Sequence, residues 1–173
     1  SVTIPDSVTE IGESAFSGCA NLSNVKLSKT LKTLGSRAFK DCTALTSIVI
    51  PKTLERIELD GYYTGPFGGC TVLKTVTLES GMTKIAELLF YNCSSLESIV
   101  IPDSVTAIGD AAFSYSGLRA VTIPDSVTII GDSAFYNCKA LTSVSLPDSL
   151  TEIESSAFRE CTGLTSMMVP DSV

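Results

Sequence analysis

Cysteine is the residue whose type and spacing most directly suggest chemistry in this sequence. Each of the six cysteines follows a phenylalanine by three residues, and most successive cysteines are 23 residues apart. The column consists of Cys19, Cys42, Cys70, Cys93, Cys138 and Cys161. Side chains at one slot of a repeat stack with parallel Cβ vectors, which is poor disulfide geometry, and Cys is readily buried. We predict a reduced, buried column, with disulfides between adjacent repeats as the alternative.

Aspartate forms a second periodic column, in which each member follows a proline. Its members are Asp6, Asp103, Asp125, Asp148 and Asp171. One interpretation is a ladder of calcium sites, and the other is a turn residue whose carboxylate caps nearby backbone N–H groups. The loop lacks the dense carboxylates and glycines of calcium-binding repeats. We therefore favour the turn, and we expect no metal and no cofactor.

Catalysis and several partner classes find little support in the composition. The chain contains no histidine, so no Ser-His or Cys-His pair is available to activate a nucleophile, and zinc is disfavoured as well. We predict that the chain is not an enzyme. A net charge of −7 without a basic run disfavours nucleic acid. No apolar stretch approaches the 18 residues of a membrane span, so we expect no membrane insertion by these residues.

The elements that must position these columns recur with a period of about 23 residues. A leucine opens each unit, at Leu22, Leu45, Leu73, Leu96, Leu118, Leu141 and Leu164. A phenylalanine follows the same period, at Phe16, Phe39, Phe67, Phe90, Phe113, Phe135 and Phe158. A single unit leaves its flat faces exposed unless a neighbour covers them, so the units must stack to be stable.

The alternation of apolar and polar residues within one unit predicts its local structure. The inward positions of the unit that starts at Leu96 are Leu96, Ile99, Ile101, Val105, Ile108 and Phe113. Pro102 ends the first strand because it lacks an N–H group and has a fixed φ. A short second strand follows, and Ala112 and Phe113 are predicted to lie on a helical turn. Successive first strands should pair in parallel on one face of the stack, and the crossovers should be right-handed.

The repeat resembles a known family. The pattern L-x-x-[VI]-x-[IL]-P-x-x-[VL]-x-x-I-G-x-x-A-F-x-x-C-x-x-L is similar to the BspA-like leucine-rich repeats (the Treponema pallidum type) of cell-surface proteins of bacteria and some protozoa. The resemblance covers the whole chain, with Ser116 in place of one cysteine. It implies a right-handed leucine-rich-repeat solenoid with one parallel sheet face, short second strands and helical turns on the other side. We expect a single solenoid over residues 1–173, with six full repeats and a partial repeat at each end, cut from a longer array.

The outward positions of the first strands form the first candidate binding surface. They are mostly small and uncharged, with hydroxyl groups and scattered apolar side chains. The candidate ligand-binding residues among them are Thr75, Thr77, Ser98, Val100 and Thr122. Such a face is suited to a protein or a glycan, but Ser and Thr also suit any solvated sheet.

A loop in the one long, 28-residue unit is the second candidate surface. It places Tyr62 and Tyr63 between Gly61 and Gly65. Exposed tyrosines are common interface anchors, although solenoids also tolerate loop insertions that have no function.

The resemblance further implies a secreted or surface-displayed array that adheres to host proteins or to other cells. We therefore expect a non-enzymatic protein-binding or adhesion module that is extracellular or on the cell surface. The partner would be a protein, for example of the extracellular matrix or a host surface. The alternative is a structural spacer of a larger surface protein with no ligand of its own.

Overall fold

The protein forms a parallel β-solenoid in which the repeats contribute short strands, at most two each, to successive turns. The structure, a computed structural model, describes residues 1–59 and 64–173. Its strands are β1 (Val2–Thr3), β2 (Glu10–Ile11), β3 (Val25–Lys26), β4 (Thr33–Gly35), β5 (Ser47–Ile50), β6 (Arg56–Glu58), β7 (Thr75–Leu78), β8 (Lys84–Ile85), β9 (Ala107–Ile108), β10 (Ala120–Thr122), β11 (Ile129–Ile130), β12 (Ser143–Ser145) and β13 (Glu152–Ile153). This arrangement confirms the predicted parallel solenoid with short second strands.

The second strands of the repeats form two ladders along one side of the stack. Strands β2, β4 and β6 make one ladder, and β8, β9, β11 and β13 make the other. Equivalent residues pair directly: Ile108 lies opposite Ile85 and Ile130 in parallel register. Within each ladder this register keeps the inward isoleucine or leucine of one repeat above that of the preceding repeat. The interior is therefore a set of columns, one column for each slot of the repeat.

The first strands pair more intermittently than the second strands. Among the described residues, β1 pairs with β3, β5 with β7, and β10 with β12. Residues 98–101 occupy the same place in their repeat without strand pairing to β7 or β10. The single parallel sheet face expected from the sequence is therefore present as three two-stranded pieces on one common surface.

The side opposite the first strands is built from turns that alternate between two kinds of hydrogen bond. The N–H groups of Ala111, Phe113 and Tyr115 each donate a hydrogen bond of 2.8 Å to a carbonyl of the next repeat. The N–H groups of Ala112 and Ser114 donate to carbonyls of their own turn. Ala111 and Tyr115 also have left-handed φ values of 49° and 58°. An α-helix needs neither feature and is disrupted by both. Residues 1–59 and 64–173 accordingly contain no helix, so the predicted helical turns are not found there.

The interior is organised around one column of phenylalanine rings. Neighbouring rings of this column are stacked in parallel, with centroids 5.1–5.5 Å apart, except that Phe67 and Phe90 are 6.4 Å apart. Phe39, Phe67, Phe90, Phe113 and Phe135 are fully buried. The wider spacing occurs directly after the 28-residue repeat.

Close backbone contacts between repeats explain some of the glycines that precede the turns, among them Gly35 and Gly109 but not Gly12. At Gly109 an added Cβ would lie 2.7 Å from the backbone nitrogen of Glu87 in the preceding repeat, which is closer than any side chain can approach. The φ of Gly109 is not positive, so this close approach and not a left-handed backbone requires glycine there. The described residues contain no helix long and apolar enough to cross a membrane.

Candidate binding surface

The outward positions of the first strands lie together on one exposed surface, here called the strand face. All of the positions that alternation predicted to point outward are exposed. They are Asn24, Lys26, Ser47, Val49, Thr75, Thr77, Ser98, Val100, Ala120, Thr122, Ser143, Ser145, Ser166 and Met168. The intervening residues point into the core; Ile48 and Val76, for example, are buried. The pleat of a strand is sufficient to produce this division.

Five of the candidate ligand-binding residues fall on three consecutive repeats of the strand face. Thr75 and Thr77 are the outward residues of β7, and Thr122 is an outward residue of β10. Ser98 and Val100 lie between them on the unpaired segment 98–101. The structure therefore brings these five residues together on one surface.

Tyr62 and Tyr63, the other two candidate ligand-binding residues, lie outside the described residues.

Three large apolar side chains interrupt the hydroxyl groups of the strand face. Val49 is 50% exposed, Val100 is 83% exposed and Met168 is 88% exposed. Single exposed apolar residues are ordinary on protein surfaces, but these three share one face with the small hydroxyl residues. Each is also placed beside a break in strand pairing, where the surface is grooved.

One of these grooves separates β3 from β5. Its walls carry Lys26, Ser47, Val49 and Thr77, and Val25 lies at its base. The groove exists because β3 pairs with β1 and β5 pairs with β7, so no ladder hydrogen bonds draw β3 and β5 together. Apolar side chains next to such a groove can insert into a partner while the hydroxyl groups at its rim accept and donate hydrogen bonds.

A second groove lies between β7 and the unpaired segment 98–101. Thr77, Ser80 and Val100 line it together with Pro102 and Asp103. Because segment 98–101 is not held by a ladder, Val100 stands more exposed than its counterpart Val49 on the paired strand β5. Candidate residues Thr77 and Val100 therefore face each other across one groove.

The strand face has almost no charge of its own. Lys26 is its only ionisable residue. At its margin the Asp6 carboxylate accepts a hydrogen bond from the Lys29 backbone N–H at 3.0 Å, and the Glu79 carboxylate accepts one from the Lys52 N–H at 3.1 Å. These carboxylates link one repeat to the next. The capping role predicted for the aspartate column is thus observed at Asp6.

The cysteine column is buried, as the sequence predicted, except at its first member. Cys42, Cys70, Cys93, Cys138 and Cys161 are buried, Cys19 is exposed, and all six thiols are free. Each buried thiol donates a hydrogen bond to the carbonyl of the phenylalanine in the preceding repeat, over 3.0–3.8 Å. The column therefore satisfies interior carbonyl groups between layers.

Three of the buried thiols, Cys42, Cys70 and Cys93, stay protonated at neutral pH. Burial, reinforced by the thiol of the preceding repeat, raises the pKa of Cys42 to about 11 and that of Cys70 to about 12. Burial likewise raises the pKa of Cys93. Because the thiolate is the nucleophile and the metal ligand, these three thiols have a structural role. Within residues 1–59 and 64–173, no three Cys, Asp, Glu or His side chains are arranged to hold a metal ion.

Sequence reasoning missed one further surface feature, which lies on the turn side of the solenoid. Tyr91, Tyr115 and Tyr136 form a continuous row of rings across three repeats. Tyr91 and Tyr136 directly follow the phenylalanine of their repeat, but Tyr115 follows its phenylalanine by two residues. Because Tyr115 occupies a different slot of the repeat, the three tyrosines do not form one column in the sequence. The repeated Phe-Tyr pair was the available signal.

The fold and this surface define a class of protein: a solenoid of leucine-rich repeats that exposes a parallel-strand face. The chain belongs to a particular family within that class. The profile of the BspA type leucine-rich repeat region, present in six copies, matches residues 1–118 and 65–173. These two matches together span the whole chain, so the chain is a member of the BspA-type leucine-rich repeat family.

Solved structures of bacterial leucine-rich repeat proteins are similar to this chain. One from Bacteroides ovatus is 28% identical over 97% of this chain and 60% of its own length, with a TM-score of 0.52. The leucine-rich repeat protein of T. pallidum is 28% identical over 94% of this chain and 64% of its own length, with a TM-score of 0.60.

A leucine-rich cell surface protein of Faecalibacterium prausnitzii is 26% identical over 99% of this chain and 67% of its own length, with a TM-score of 0.54. The chain spans less than two thirds of the Bacteroides and T. pallidum proteins. No curated protein sequence matches it.

Proposed function

We propose that this chain is a non-enzymatic protein-binding module of a cell-surface or secreted protein, and that the strand face is its binding surface. The leucine-rich-repeat fold is suited to protein interaction because it presents a long surface on a rigid stack. The similar Faecalibacterium protein is described as a cell surface protein. As part of the proposal, we assign the same location to this chain. We also propose that its residues 1–173 form a single solenoid of repeats.

The observation that carries the proposal is the exposure of Val49, Val100 and Met168 on a face of small hydroxyl residues. A solvated sheet with no partner would favour polar residues at all of these positions. Apolar anchors surrounded by hydrogen-bonding groups are the usual composition of a binding patch. A spacer without a ligand gives no reason for them.

The near absence of charge on the strand face predicts how binding responds to salt. Lys26 is its only ionisable residue, so long-range electrostatic attraction of a partner contributes little to binding at this face. Affinity should therefore change only slightly with ionic strength. A single chain should bind weakly, and display of many copies should increase the apparent affinity by multivalency.

The experiment measures binding of the chain, free and displayed on beads, to a panel of immobilised extracellular-matrix proteins. The variant Val100→Glu places a charge at the centre of the strand face and should abolish binding. Ile129→Glu is the matched control, because Ile129 is an exposed β-branched residue on the second strand β11. It should bind like the native chain.

A third variant combines Tyr62→Ala with Tyr63→Ala and tests the predicted tyrosine loop. Binding that survives in both Val100→Glu and the tyrosine double variant would refute both surfaces. If beads carrying many copies bind none of the matrix proteins, the result would favour the spacer.

A further inference from the structure

The row of tyrosines on the turn side is a second surface feature that the proposed function does not use. The ring centroids of Tyr91 and Tyr115 are 5.5 Å apart, and those of Tyr115 and Tyr136 are 5.4 Å apart. Neighbouring rings meet edge to face, at interplanar angles of 67° and 72°. Tyr115 is exposed and the other two are half-buried. These three residues are called the tyrosine stripe below.

The backbone of the repeat does not require a tyrosine at the centre of the stripe. Tyr115 has a φ of 58°, in the left-handed region that Asn and Gly adopt most readily. The equivalent residues of the two adjacent repeats are Asn92 and Asn137, with φ values of 59° and 58°. Tyr115 therefore occupies a slot that suits asparagine better. Its ring completes the row between Tyr91 and Tyr136.

Carboxylates flank the stripe and make it an acidic aromatic groove. Asp110 and Asp132 lie in one open groove with all three tyrosine rings. The Asp132 carboxylate accepts a hydrogen bond from the Ser133 hydroxyl at 2.6 Å, which holds it in place, while Asp110 is exposed. Negative charge beside the faces of aromatic rings favours a cation.

The stripe already holds one cation, which belongs to the protein itself. The guanidinium carbon of Arg159 lies 6.0 Å from the centroid of the Tyr136 ring. This distance is the outer limit of a cation–π contact. The end of the row formed by Tyr136 is thus in contact with a guanidinium, and Asp110 and Asp132 line the same groove.

We propose that the tyrosine stripe binds an arginine-bearing segment of a partner protein. The partner's guanidinium groups would stack on the tyrosine rings and pair with Asp110 and Asp132. Guanidinium suits this groove better than ammonium because it is planar, stacks on rings and pairs with a carboxylate through two hydrogen bonds. Alternate side chains of an extended peptide are about 6.6 Å apart, roughly 1 Å more than the 5.4–5.5 Å between successive ring centroids. The long, flexible arginine side chain can make up this difference. The proposal is independent of the strand face, which lies on the other side of the repeat.

The test titrates the chain with the peptide Gly-Arg-Gly-Arg-Gly-Arg and follows tyrosine fluorescence. Three of the five tyrosines form the stripe and the chain has no tryptophan. A parallel titration of the variant Tyr62→Ala with Tyr63→Ala, in which only the stripe can give a signal, should show the same response. The arginine peptide should change the fluorescence saturably, and the same peptide with citrulline, which is uncharged, should not. A lysine peptide should bind severalfold more weakly. Raising the salt concentration from 0.05 to 0.5 M should weaken binding of the arginine peptide at least threefold, unlike binding at the strand face.

The repeat itself supplies conservative variants for the same titration. Tyr115→Asn introduces the residue found in both adjacent repeats, and Tyr136→Ser introduces the residue found at Ser114 in the equivalent slot. Each should weaken peptide binding about three- to tenfold, the factor expected for one cation–π contact. Circular dichroism should show that both variants keep the native fold.

A matched pair of double variants separates the groove from the overall charge of the chain. Asp110→Asn with Asp132→Asn should weaken binding more than tenfold. Asp125→Asn with Asp148→Asn removes the same charge from exposed turns in neighbouring repeats, and it should leave binding unchanged.

Four results would overturn the proposal. Two concern affinity: an equal loss of affinity for the arginine peptide in the two aspartate double variants, or binding of the citrulline peptide as tight as that of the arginine peptide. The other two concern tyrosine fluorescence: no response to the arginine peptide, or a response to neutral oligosaccharides but not to arginine. None of these results bears on the strand face, which is tested with Val100→Glu on matrix proteins.

Discussion

The molecule contains two rows of aromatic rings, and they differ in almost every respect. The phenylalanine row runs through the interior, one ring per repeat, with rings stacked in parallel. The tyrosine stripe lies on the surface, spans three repeats only, and has rings that meet edge to face. The interior row repeats because every layer must be covered by the next one. The tyrosine stripe covers no layer, so the repeat does not require it. A residue that departs from the repeat, as Tyr115 does, is therefore a better candidate for a specific function than one that follows it.

The largest expected effect is the loss of a ring from the middle of the interior row. Phe113→Ala should lower the free energy of unfolding by about 3–5 kcal/mol, because it leaves a cavity between two complete layers. Phe16→Ala should cost much less, since Phe16 is only partly buried and stacks on Phe39 alone among the rings of the row. Urea titrations of both variants measure the difference. Equal losses would contradict the nearest-neighbour description of the stack.

The next effect concerns the thiols beside the interior row and depends on pH. The folded-state pKa values of Cys42 and Cys70 are raised to about 11 and about 12, above the pKa of an unfolded thiol. The folded state therefore holds these protons more tightly than the unfolded state does. Below about pH 8.5 both states are protonated, and the free energy of unfolding has its full value. Between that pH and the folded pKa, each such thiol should lower the free energy of unfolding by about 1.4 kcal/mol per pH unit. Urea titrations from pH 8 to pH 10.5 measure the slope.

Thiol labelling is the accompanying measurement. At pH 8 one thiol, Cys19, should react in the native protein, and the other five should require guanidinium. A reductant should leave the melting temperature unchanged. Three disulfides detected by mass spectrometry of the unreduced chain would refute the reduced column.

A smaller effect is expected when the outer row is broken. Tyr115→Asn removes two edge-to-face contacts worth about 0.5–1.5 kcal/mol each. It also relieves a left-handed backbone that costs roughly 1–2 kcal/mol for a residue other than Gly or Asn. The two changes should nearly cancel, so stability should move by no more than about 1 kcal/mol in urea titrations. A loss as large as that of Phe113→Ala would make the stripe a structural element like the interior row.

The smallest effect on stability is expected on the strand face. Val100 is 83% exposed on an unpaired segment, and a surface change of this kind usually stays within about 0.5 kcal/mol. The Val100→Glu variant should therefore unfold at the same urea concentration as the native chain. It should nevertheless no longer bind the partner protein. If it destabilises the protein strongly, its effect on binding would no longer locate the site.

Much of the candidate surface could be predicted from the sequence because strand alternation is a local property. Val49, Val100 and Met168 alternate with inward residues in their repeats, so their outward direction follows from the pleat. The burial of the cysteine column was equally predictable, since Cys42 and Cys70 share one slot with their neighbours. That these residues bind a partner stays a prediction.

The sequence by itself determined the period of the repeat, the family and the division of each strand into inward and outward residues. Tertiary structure alone decided where first strands separate into grooves, because pairing of β5 with β7 but not with β3 depends on how whole layers fit. It also decided that the turns are not helical, since half of their N–H groups bond to the next repeat. The tyrosine stripe is the clearest case. Tyr115 joins Tyr91 and Tyr136 because its left-handed turn brings residues from different columns side by side.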